Sequence, residues 1–262
     1  MVSAPEVGAN LESAARLIAL AAAQGAQLVA LPEYFCILGR HETDKLKVRE
    51  TDATEGGGGP IQSFLAQAAR NNKVWLVGGT LPMASEDPQR VRSACCVFDS
   101  SGTRVARYDK IHLFSFSQGT ENYDETRTMQ PGDTPVIVES PFGRLGLSVC
   151  YDVRFPELYR RQAPVDMWFV PSAFTATTGA AHWDTLLRAR AIENLCYVVA
   201  PAQGGVHPNG RRTHGHTMIV GPWGEVLGDM AEGEAVVIAD VDHDRIAEVR
   251  NSLPALDNRR IP

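Results

Sequence analysis

The stretch from Leu147 to Leu158 constrains the fold of this chain more than any other part of it. Apolar residues lead into Cys150, and the segment Phe155-Pro156-Glu157-Leu158 then indicates the start of a helix. A thiol between a buried strand and a helix N-terminus lies where the helix dipole and free N–H groups favour the thiolate. The stretch therefore predicts a nucleophilic Cys150, although a free cysteine more often packs as a small buried hydrophobe.

The length and composition are those of an ordinary globular protein. The chain has 262 residues, of which 44% are hydrophobic and 21% are charged, and its formal net charge is −6. This length suits one large α/β domain or two small ones. Because no linker interrupts the pattern, we predict a single domain over residues 1–262. The acidic balance without blocks of like charge argues against nucleic acid or an anionic membrane as the main partner.

The sequence shows no sign of a membrane span or a disulfide framework. No apolar run approaches the ~20 residues of a membrane span, and the N-terminus lacks a basic region followed by an apolar core. The five cysteines are an odd number with no CxxC pair, which favours a reducing, cytoplasmic compartment over disulfides. Because histidines and cysteines do not cluster at ligand spacing, we expect no metal and no cofactor.

Strand and helix signals alternate along the chain and predict an α/β fold of mixed sheets covered by helices. Asn10 suits a helix N-cap, whereas glycines 56–59 form a loop in which a phosphate-binding pattern is weak, because no Lys-Ser/Thr follows. The polar stretch from Ser115 to Gly132 predicts a long ordered loop. We predict helices over 11–24, 61–71, 155–162, 181–194 and 242–250, and strands over 27–31, 74–79, 92–98, 104–108, 136–138, 145–149, 167–170, 197–200, 216–220, 225–227 and 235–241.

Three residues with reactive side chains each follow a predicted strand: Glu33, Lys110 and Cys150. If those strands lie side by side, the side chains converge above the sheet. A carboxylate whose pKa is raised by burial could take the thiol proton and later activate water. The thiolate would attack a carbonyl or nitrile carbon, while the ammonium and the Tyr151 backbone N–H stabilise the developing charge. Because this set needs no histidine, a Cys–His pair is the less economical interpretation.

The same strand ends carry three longer segments, namely Leu31-Pro32-Glu33, Tyr108-Asp109-Lys110-Ile111-His112-Leu113-Phe114 and Cys150-Tyr151-Asp152-Val153-Arg154-Phe155-Pro156-Glu157-Leu158. Taken in this order, they resemble the Glu, Lys and Cys motifs of the nitrilase (carbon–nitrogen hydrolase) superfamily. The resemblance implies a four-layer α-β-β-α sandwich that forms a homodimer or higher homo-oligomer through a helical layer. It also implies an enzyme that hydrolyses carbon–nitrogen bonds of amides.

The resemblance assigns catalytic roles residue by residue. Glu33 matches the general base, Lys110 matches the oxyanion-stabilising lysine, and Cys150 matches the nucleophile. Glu125 matches the second glutamate, which positions the lysine and the substrate, because Pro131-Gly132-Asp133 follows it at the family's distance. A solvated loop carboxylate is the alternative interpretation of Glu125.

The segments Pro171-Ser172-Ala173-Phe174-Thr175 and Leu187-Arg188-Ala189-Arg190-Ala191-Ile192-Glu193-Asn194 resemble the Nit branch of this superfamily. Members of that branch are ω-amidases of dicarboxylic monoamides or amidases of deaminated glutathione. The resemblance implies that Arg154 grips a substrate carboxylate in a bidentate manner, although it could instead pair with Asp152 or Glu157. It implies further substrate contacts at Tyr151, Phe174 and Thr178.

The loops at 202–207 and 211–216 loosely resemble the deaminated-glutathione-amidase subgroup. Gln203, His207 and Arg211 offer donors for a larger, peptide-like, anionic amide, and an ordinary polar loop is the alternative. We therefore predict hydrolysis of a small anionic amide by water through a thioester, with deaminated glutathione as the favoured substrate. The alternatives are an ω-amidase of α-ketoglutaramate, an N-carbamoyl amino acid hydrolase, a non-catalytic interaction protein, or a redox sensor at Cys150.

The N-terminus departs from the family pattern. Family members begin with a strand ending in Gln-Met, and Met1-Val2-Ser3 corresponds only to the tail of that motif. We therefore expect the first strand to be missing and one sheet edge to be exposed. We also expect residues added upstream to raise the thermal stability.

Overall fold

The computed structural model describes residues 1–52, 58–119 and 121–261. The predicted glycine loop at 56–59 lies partly outside these residues, at Gly56 and Gly57. The helices are α1 (Val7–Ala23), α2 (Asp44–Lys47), α3 (Pro60–Asn72), α4 (Pro156–Gln162), α5 (Ala176–Asn194) and α6 (His243–Ser252). The strands are β1 (Leu28–Ala30), β2 (Trp75–Val77), β3 (Leu81–Ala84), β4 (Val91–Phe98), β5 (Arg104–Asp109), β6 (Ser115–Gln118), β7 (Glu121–Asp124), β8 (Ile137–Ser140), β9 (Gly143–Leu147), β10 (Met167–Phe169), β11 (Tyr197–Ala200), β12 (Gly204–Val206), β13 (Arg212–His214), β14 (Thr217–Val220) and β15 (Val226–Met230). Two 3-10 turns span Glu125–Arg127 and Cys150–Arg154.

The strands form two mixed sheets and two short ribbons. The first sheet has the order β1-β2-β4-β3, with β5 also paired to β4, and the second has the order β15-β14-β11-β10-β9-β8. Strands β1 and β2 run parallel, as do β9, β10 and β11. Because parallel neighbours need a crossover connection, helices α3, α4 and α5 occur between these strands along the chain. The ribbons are β6-β7 and β12-β13.

Strand β4 shows how the sheets and helices share the core. Cys95 and Val97 belong to the apolar cluster that also contains residues of the second sheet. Ala94, Cys96 and Phe98 belong to the cluster that contains α1 and α3. Alternate strand residues point to opposite faces, so the first sheet lies between these helices and the second sheet. Since α5 packs on β11 and β14, the predicted four-layer α-β-β-α sandwich is confirmed.

Helix α1 begins earlier than the sequence predicts. It starts after Glu6, and Asn10 lies inside it rather than at its N-cap. The buried Asn10 side chain bonds to the Ala4 N–H and carbonyl, both at 2.7 Å, and to the Cys36 carbonyl at 2.9 Å. Because an amide offers both donors and an acceptor, Asn10 ties the N-terminal segment to the chain that follows β1.

Three predictions of local structure are wrong. Residues 115–132 contain the β6-β7 hairpin and a 3-10 turn rather than only a loop. Helix α5 begins at Ala176, with Thr175 as its N-cap, and not near residue 181. Residues 235–241 form no strand. The hairpin escapes sequence reasoning because its residues are mostly exposed or half-buried, so the apolar alternation that marks a half-buried strand is absent.

Strand β1 lies at the edge of the first sheet and pairs, within the described residues, with β2 alone. An apolar groove of about 360 Å³ is lined both by β1 and by residues 235–241. The exposed sheet edge expected from the sequence is therefore present. In the described parts of the chain, no strand pairs with residues 235–241. Their apolar side chains therefore line the groove instead of forming part of a sheet.

The five cysteines lie in the two apolar clusters of the fold. All five cysteines are buried and free, and neighbours Cys95 and Cys96 belong to different apolar clusters on the two sides of β4. Across residues 1–52, 58–119 and 121–261, no helix has both the length and the apolar character needed to cross a membrane.

Candidate active site

Glu33, Lys110 and Glu125 form a buried cluster of charged side chains. The Lys110 ammonium donates to Glu33 Oε1 at 2.8 Å and to the two Glu125 oxygens at 3.1 and 2.9 Å. The three residues are 1%, 1% and 8% exposed, respectively. Removing charges from water is strongly unfavourable unless they are paired and hydrogen-bonded. The sandwich can therefore hold these side chains only as a set.

Two strand ends bring Glu33 and Lys110 together. Glu33 follows β1, and its backbone carbonyl accepts a hydrogen bond from Gln203 Nε2 at 3.1 Å. Lys110 directly follows β5. Gly79 packs against the turn before Glu33 and has φ +58. A side chain at this position would collide with the Pro32 carbonyl oxygen. Only glycine adopts this conformation without strain at so close an approach, and the contact supports the turn from which Glu33 projects.

The cluster drives the pKa values of its two carboxyl groups apart. Burial raises the pKa of Glu33, and this effect, reinforced by Glu125, outweighs the opposing charge of Lys110. Burial also acts to raise the pKa of Glu125, but Lys110 outweighs it and holds that pKa below its ordinary value. Burial disfavours the Lys110 ammonium, yet the two glutamates hold its pKa well above its ordinary value. Two carboxyl groups whose pKa values differ in this way suit different roles. Glu33 can exchange a proton, and Glu125 can hold the Lys110 ammonium.

Cys150 begins the 3-10 turn that connects β9 to α4. Its backbone has φ 51, a left-handed conformation that is strained for a side chain of this kind and recurs at functional sites. Its N–H donates to the Pro171 carbonyl at 2.9 Å. Asp152 secures the turn by accepting from the Val149 N–H at 2.8 Å and from the Tyr108 hydroxyl at 2.7 Å.

The ionisation of Cys150 differs from the sequence prediction. The stretch around it predicts a thiolate favoured by a helix N-terminus, whereas burial raises the pKa of the Cys150 thiol well above its ordinary value, with Glu33 adding to the rise and Lys110 opposing it. Helix α4 begins only at Pro156, and the dipole effect fades within a turn. A buried neutral thiol needs a base when it attacks and oxidises poorly, which argues against the redox-sensor alternative.

Seven predicted site residues line one narrow pocket, namely Glu33, Glu125, Cys150, Tyr151, Phe174, Thr178 and Arg211. We call it the catalytic pocket. Its volume is about 10 Å³, which is room for about one water molecule. The pocket is therefore narrow beside the Cys150 thiol. The Thr178 hydroxyl already pairs with the Thr175 hydroxyl at 2.9 Å.

Arg211 carries a hydrogen-bond donor that no described residue uses. Its guanidinium lies 5.1 Å from the centroid of the Tyr123 ring, and its Nη2 donates to the Ala173 carbonyl at 3.1 Å. Its Nε is buried and lacks a hydrogen-bond partner among residues 1–52, 58–119 and 121–261. A buried N–H without an acceptor is unfavourable by about 1–3 kcal/mol. Arg211 is thus the predicted binding residue best prepared to meet a substrate oxygen.

Arg154 lies beside the catalytic pocket and not in its lining. Its guanidinium lies 5.7 Å from the centroid of the Tyr151 ring and 5.2 Å from that of Phe174, and its Nη1 is 3.2 Å from His182 Nδ1. Asp152, one alternative partner predicted from the sequence, takes its hydrogen bonds from other groups. Asp152 is therefore not the partner of Arg154, which packs against two aromatic rings of the pocket wall, and the bidentate grip on a substrate carboxylate stays a prediction.

Gln203 and His207 lie behind the pocket and do not line it. Gln203 is fully buried and donates from Nε2 to the Ser3 hydroxyl at 2.6 Å and to the Glu33 carbonyl at 3.1 Å. His207 contacts the Ser3 carbonyl through Nδ1 at 2.9 Å and the Thr213 hydroxyl through Nε2 at 2.8 Å. Both residues thus support the N-terminal segment, and Gln203 also supports the Glu33 turn, whereas their contact with the substrate stays a prediction.

Sequence reasoning does not identify Tyr34 or Phe114 as parts of the site. The Tyr34 hydroxyl donates to Glu125 Oε1 at 2.7 Å, and the Phe114 N–H donates to Glu125 Oε2 at 2.7 Å. Tyr34 has φ 56, so it shares with Cys150 the left-handed conformation found at functional sites. The available signal was position alone, because Tyr34 follows Glu33 and Phe114 ends the segment that contains Lys110.

The pocket and the Lys110 ammonium bonded to two of its lining residues bring together three groups that suit attack on a carbon–nitrogen bond. Cys150 can supply a nucleophile, Glu33 a proton acceptor and Lys110 a fixed positive charge. In the part of the chain that the structure describes, no three or more His, Cys, Asp or Glu side chains are grouped so as to hold a metal ion.

Comparison with known proteins finds relatives of this chain among carbon–nitrogen hydrolases. The Carbon-nitrogen hydrolase family profile matches residues 2–251. A deaminated glutathione amidase from Synechocystis sp. is 45% identical over 267 residues, which cover 99% of this chain and 95% of the relative. An omega-amidase from Homo sapiens is 35% identical over 254 residues, which cover 96% and 89%. The crystal structure of Nit3 from Saccharomyces cerevisiae, a member of branch 10 of the nitrilase superfamily, matches with a TM-score of 0.89 at 29% identity over 99% of this chain and 93% of that one.

Proposed function

Because the chain belongs to the carbon–nitrogen hydrolase family, we propose that it is a cysteine-dependent amidase with Cys150 as its nucleophile. One observation carries the proposal. The Lys110 ammonium is locked between Glu33 and Glu125, and both glutamates line the pocket that contains the Cys150 thiol. This arrangement supports a mechanism in which a base and a fixed cation act on an amide carbonyl that meets the thiol.

Acylation begins when the sulfur of Cys150 attacks the amide carbon and the thiol proton moves to Glu33. Burial raises the pKa of the Cys150 thiol, so the thiol needs a base as it attacks, and the raised pKa of Glu33 makes its carboxylate a stronger proton acceptor than an ordinary one. The Lys110 ammonium and the Tyr151 N–H stabilise the oxygen that gains negative charge. Glu33 then gives the proton to the leaving nitrogen, the carbon–nitrogen bond breaks, and a thioester remains on Cys150.

Deacylation uses the same base a second time. Glu33 takes a proton from water as the water oxygen attacks the thioester carbonyl, and the carbon–sulfur bond then breaks. The proton returns to the sulfur of Cys150, so the enzyme is restored and a carboxylic acid leaves. Glu125 takes no part in these transfers, because its low pKa keeps it ionised and bound to Lys110.

We propose deaminated glutathione as the substrate, cleaved at its α-ketoglutaramyl–cysteine amide in a metabolite-repair reaction. The name of the Synechocystis relative supports this choice, and so does the unused buried N–H of Arg211, which suits an anionic substrate. The alternative is an ω-amidase of α-ketoglutaramate, supported by the name of the human relative, or an N-carbamoyl amino acid hydrolase.

A comparison of two amides tests the proposal. The purified chain is assayed for cysteinylglycine release from deaminated glutathione and for ammonia release from α-ketoglutaramate. We expect the first reaction to be faster, and a faster second reaction would overturn the substrate assignment. Cys150→Ala should abolish both reactions. The matched control is Cys196→Ala, which removes another fully buried thiol and should leave both rates unchanged.

We further propose that residues 1–262 act as one catalytic unit that assembles into a homodimer or higher homo-oligomer in the cytoplasm. The family resemblance supports self-association, and the free cysteines support a reducing compartment. Light scattering coupled to size-exclusion chromatography checks the assembly, and a monomer at every concentration would contradict it.

A further inference from the structure

A second pocket adjoins the catalytic pocket and is much larger. Its volume is about 180 Å³, against about 10 Å³ beside Cys150. We call it the basic pocket, and its lining includes Tyr34, residues 37–42, Lys45, Tyr123, Asn209 and Arg211.

Two side chains connect the basic pocket to the catalytic pocket. Arg211 lies in the walls of both. Tyr34 lines the basic pocket and donates its hydroxyl to Glu125, which lines the catalytic pocket. A substrate attached to Cys150 therefore needs to pass only these side chains to extend into the basic pocket.

The charges of the basic pocket favour an anion. Arg40, Lys45 and Arg211 are cationic, and Glu42 is the one anionic residue in the lining described. The Lys45 ammonium contacts Glu42 at 2.8 Å and the Thr128 hydroxyl at 3.3 Å. The Glu42 side chain is 60% exposed, and exposed ion pairs are weak. Lys45, which is itself buried, can therefore exchange Glu42 for a carboxylate that enters the pocket.

The chemistry of the reaction indicates which half of the substrate faces the basic pocket. Glu33 must reach the leaving nitrogen in order to protonate it, so the amine half lies on the Glu33 side of the broken bond. Tyr34 directly follows Glu33 and lines the basic pocket. Phe174 and Thr178, which line the catalytic pocket, remain for the acyl half.

We propose that the basic pocket is the subsite for the leaving amine and that it takes a peptide-like amine ending in a carboxylate. This inference rests on the amidase function proposed above. The terminal carboxylate pairs with Lys45, and the buried Nε of Arg211 donates to a substrate oxygen. A primary amide, which releases only ammonia, leaves the basic pocket empty. The pocket thereby distinguishes a dipeptide amide from a primary amide with the same acyl group.

Lys45→Met tests the inference on deaminated glutathione and α-ketoglutaramate. We expect the KM for deaminated glutathione to rise by about tenfold with kcat unchanged, because a charge-assisted contact is lost. Hydrolysis of α-ketoglutaramate should stay within about twofold, because ammonia has no carboxylate for Lys45 to bind. The matched control is Lys47→Met in the same short helix, where the side chain is 73% exposed and pairs with Asp44. It should change neither substrate.

Glu42→Gln provides a second variant that acts in the opposite direction. It removes the exposed carboxylate that competes for Lys45, so the KM for deaminated glutathione should fall. An analogue with its terminal carboxylate converted to an amide should be insensitive to both variants. Equal changes for both substrates, or no change with either variant, would overturn the subsite and leave the amidase proposal intact. If the wild-type chain hydrolyses α-ketoglutaramate but not deaminated glutathione, the substrate assignment and the subsite both fail.

Discussion

Two buried carboxylates at strand ends of this molecule, Asp152 and Glu33, are satisfied in opposite ways. Asp152 accepts from the Tyr108 hydroxyl at 2.7 Å, the Val149 N–H at 2.8 Å, the His112 N–H at 2.9 Å and His112 Nδ1 at 2.7 Å. Glu33 accepts from the Lys110 ammonium at 2.8 Å and from the Cys150 thiol, and both hydrogen bonds act to lower its pKa against the larger effect of burial. Both residues are at most 1% exposed, so burial alone does not separate their roles.

The difference separates a carboxylate that holds structure from one that moves a proton. A carboxylate offers about four lone-pair positions, and the contacts of Asp152 occupy them all. Glu33 keeps positions open, has a raised pKa and lines the pocket beside the Cys150 thiol. A buried acid with an unfilled set of acceptors and a pKa shifted by burial is a candidate for proton transfer. Four variants test how far this contrast extends.

Glu33→Gln should have the largest effect. The amide keeps the shape of the side chain but cannot take the thiol proton, so we expect kcat to fall by about 10²–10⁴-fold, with little loss of folding stability. Steady-state kinetics and urea unfolding measure the two effects. The matched control is Glu121→Gln, which alters a carboxylate whose hydrogen bond from the Thr177 hydroxyl is exposed to solvent. The control enzyme should keep the wild-type kcat. Full activity in Glu33→Gln would break the contrast with Asp152.

Lys110→Met should lower the free energy of unfolding by about 3–5 kcal/mol at neutral pH, because it leaves two buried carboxylates without their cation. In the wild type, the lowered pKa of Glu125 adds stability above its ordinary pKa, and that stability is lost as the pH falls. Without Lys110, burial raises the pKa of Glu33 and Glu125, so the variant gains stability on acidification. The two stability profiles should therefore converge at low pH. Urea unfolding across pH measures this, with Lys47→Met as the control, and a gap independent of pH would contradict it.

Residues at strand ends could be predicted from the sequence, and residues held by distant contacts could not. Glu33, Lys110 and Cys150 each follow a predicted strand, so their local pattern already indicates that they lie at strand ends. The role of Gln203 depends on Ser3, which lies 200 positions away in the chain. Such a contact has no local signal, and a buried amide therefore resembles a polar loop residue.

The order of strand and helix signals predicts mixed sheets covered by helices, and the family resemblance implies their four layers. The short polar elements of the fold have no comparable signal in the sequence. Strand β4 is buried along nearly its whole length because both of its faces are covered, and its second half is therefore a continuous apolar run. The β6-β7 hairpin has little apolar patterning, yet it leads into the turn that carries Glu125. The packing of Arg154 on Tyr151 and Phe174 had no signal in the sequence, since a guanidinium can pack on an aromatic ring as readily as it binds a carboxylate.

Asp152→Asn should affect stability more than chemistry. The amide replaces one accepting oxygen by a donor, so the Tyr108 hydroxyl or the Val149 N–H loses its partner. A buried donor left unsatisfied is unfavourable by about 1–3 kcal/mol, and we expect the free energy of unfolding to fall by that amount. The folded fraction should keep its kcat within about tenfold, which corresponds to about 1.4 kcal/mol. A loss of kcat as large as that of Glu33→Gln, with unchanged stability, would make Asp152 a proton-transfer residue and remove the contrast.

Tyr34→Phe should have the smallest effect on kcat of the four variants. It tests whether the hydrogen-bond donors of a buried carboxylate determine its role. It removes one donor from Glu125 at 2.7 Å, which should raise the pKa of Glu125 and weaken its hold on Lys110. We expect kcat to fall by no more than about tenfold and the acidic limb of its pH profile to move to higher pH. Tyr159→Phe is the matched control, because it removes a buried hydroxyl that bonds to Ser148 at 2.8 Å outside the site. Both variants should lose similar stability, about 1 kcal/mol, but only Tyr34→Phe should move the pH profile. If the pH profiles of kcat of the two variants coincide, Tyr34 stabilises the fold only, and its hydrogen bond to Glu125 does not affect catalysis.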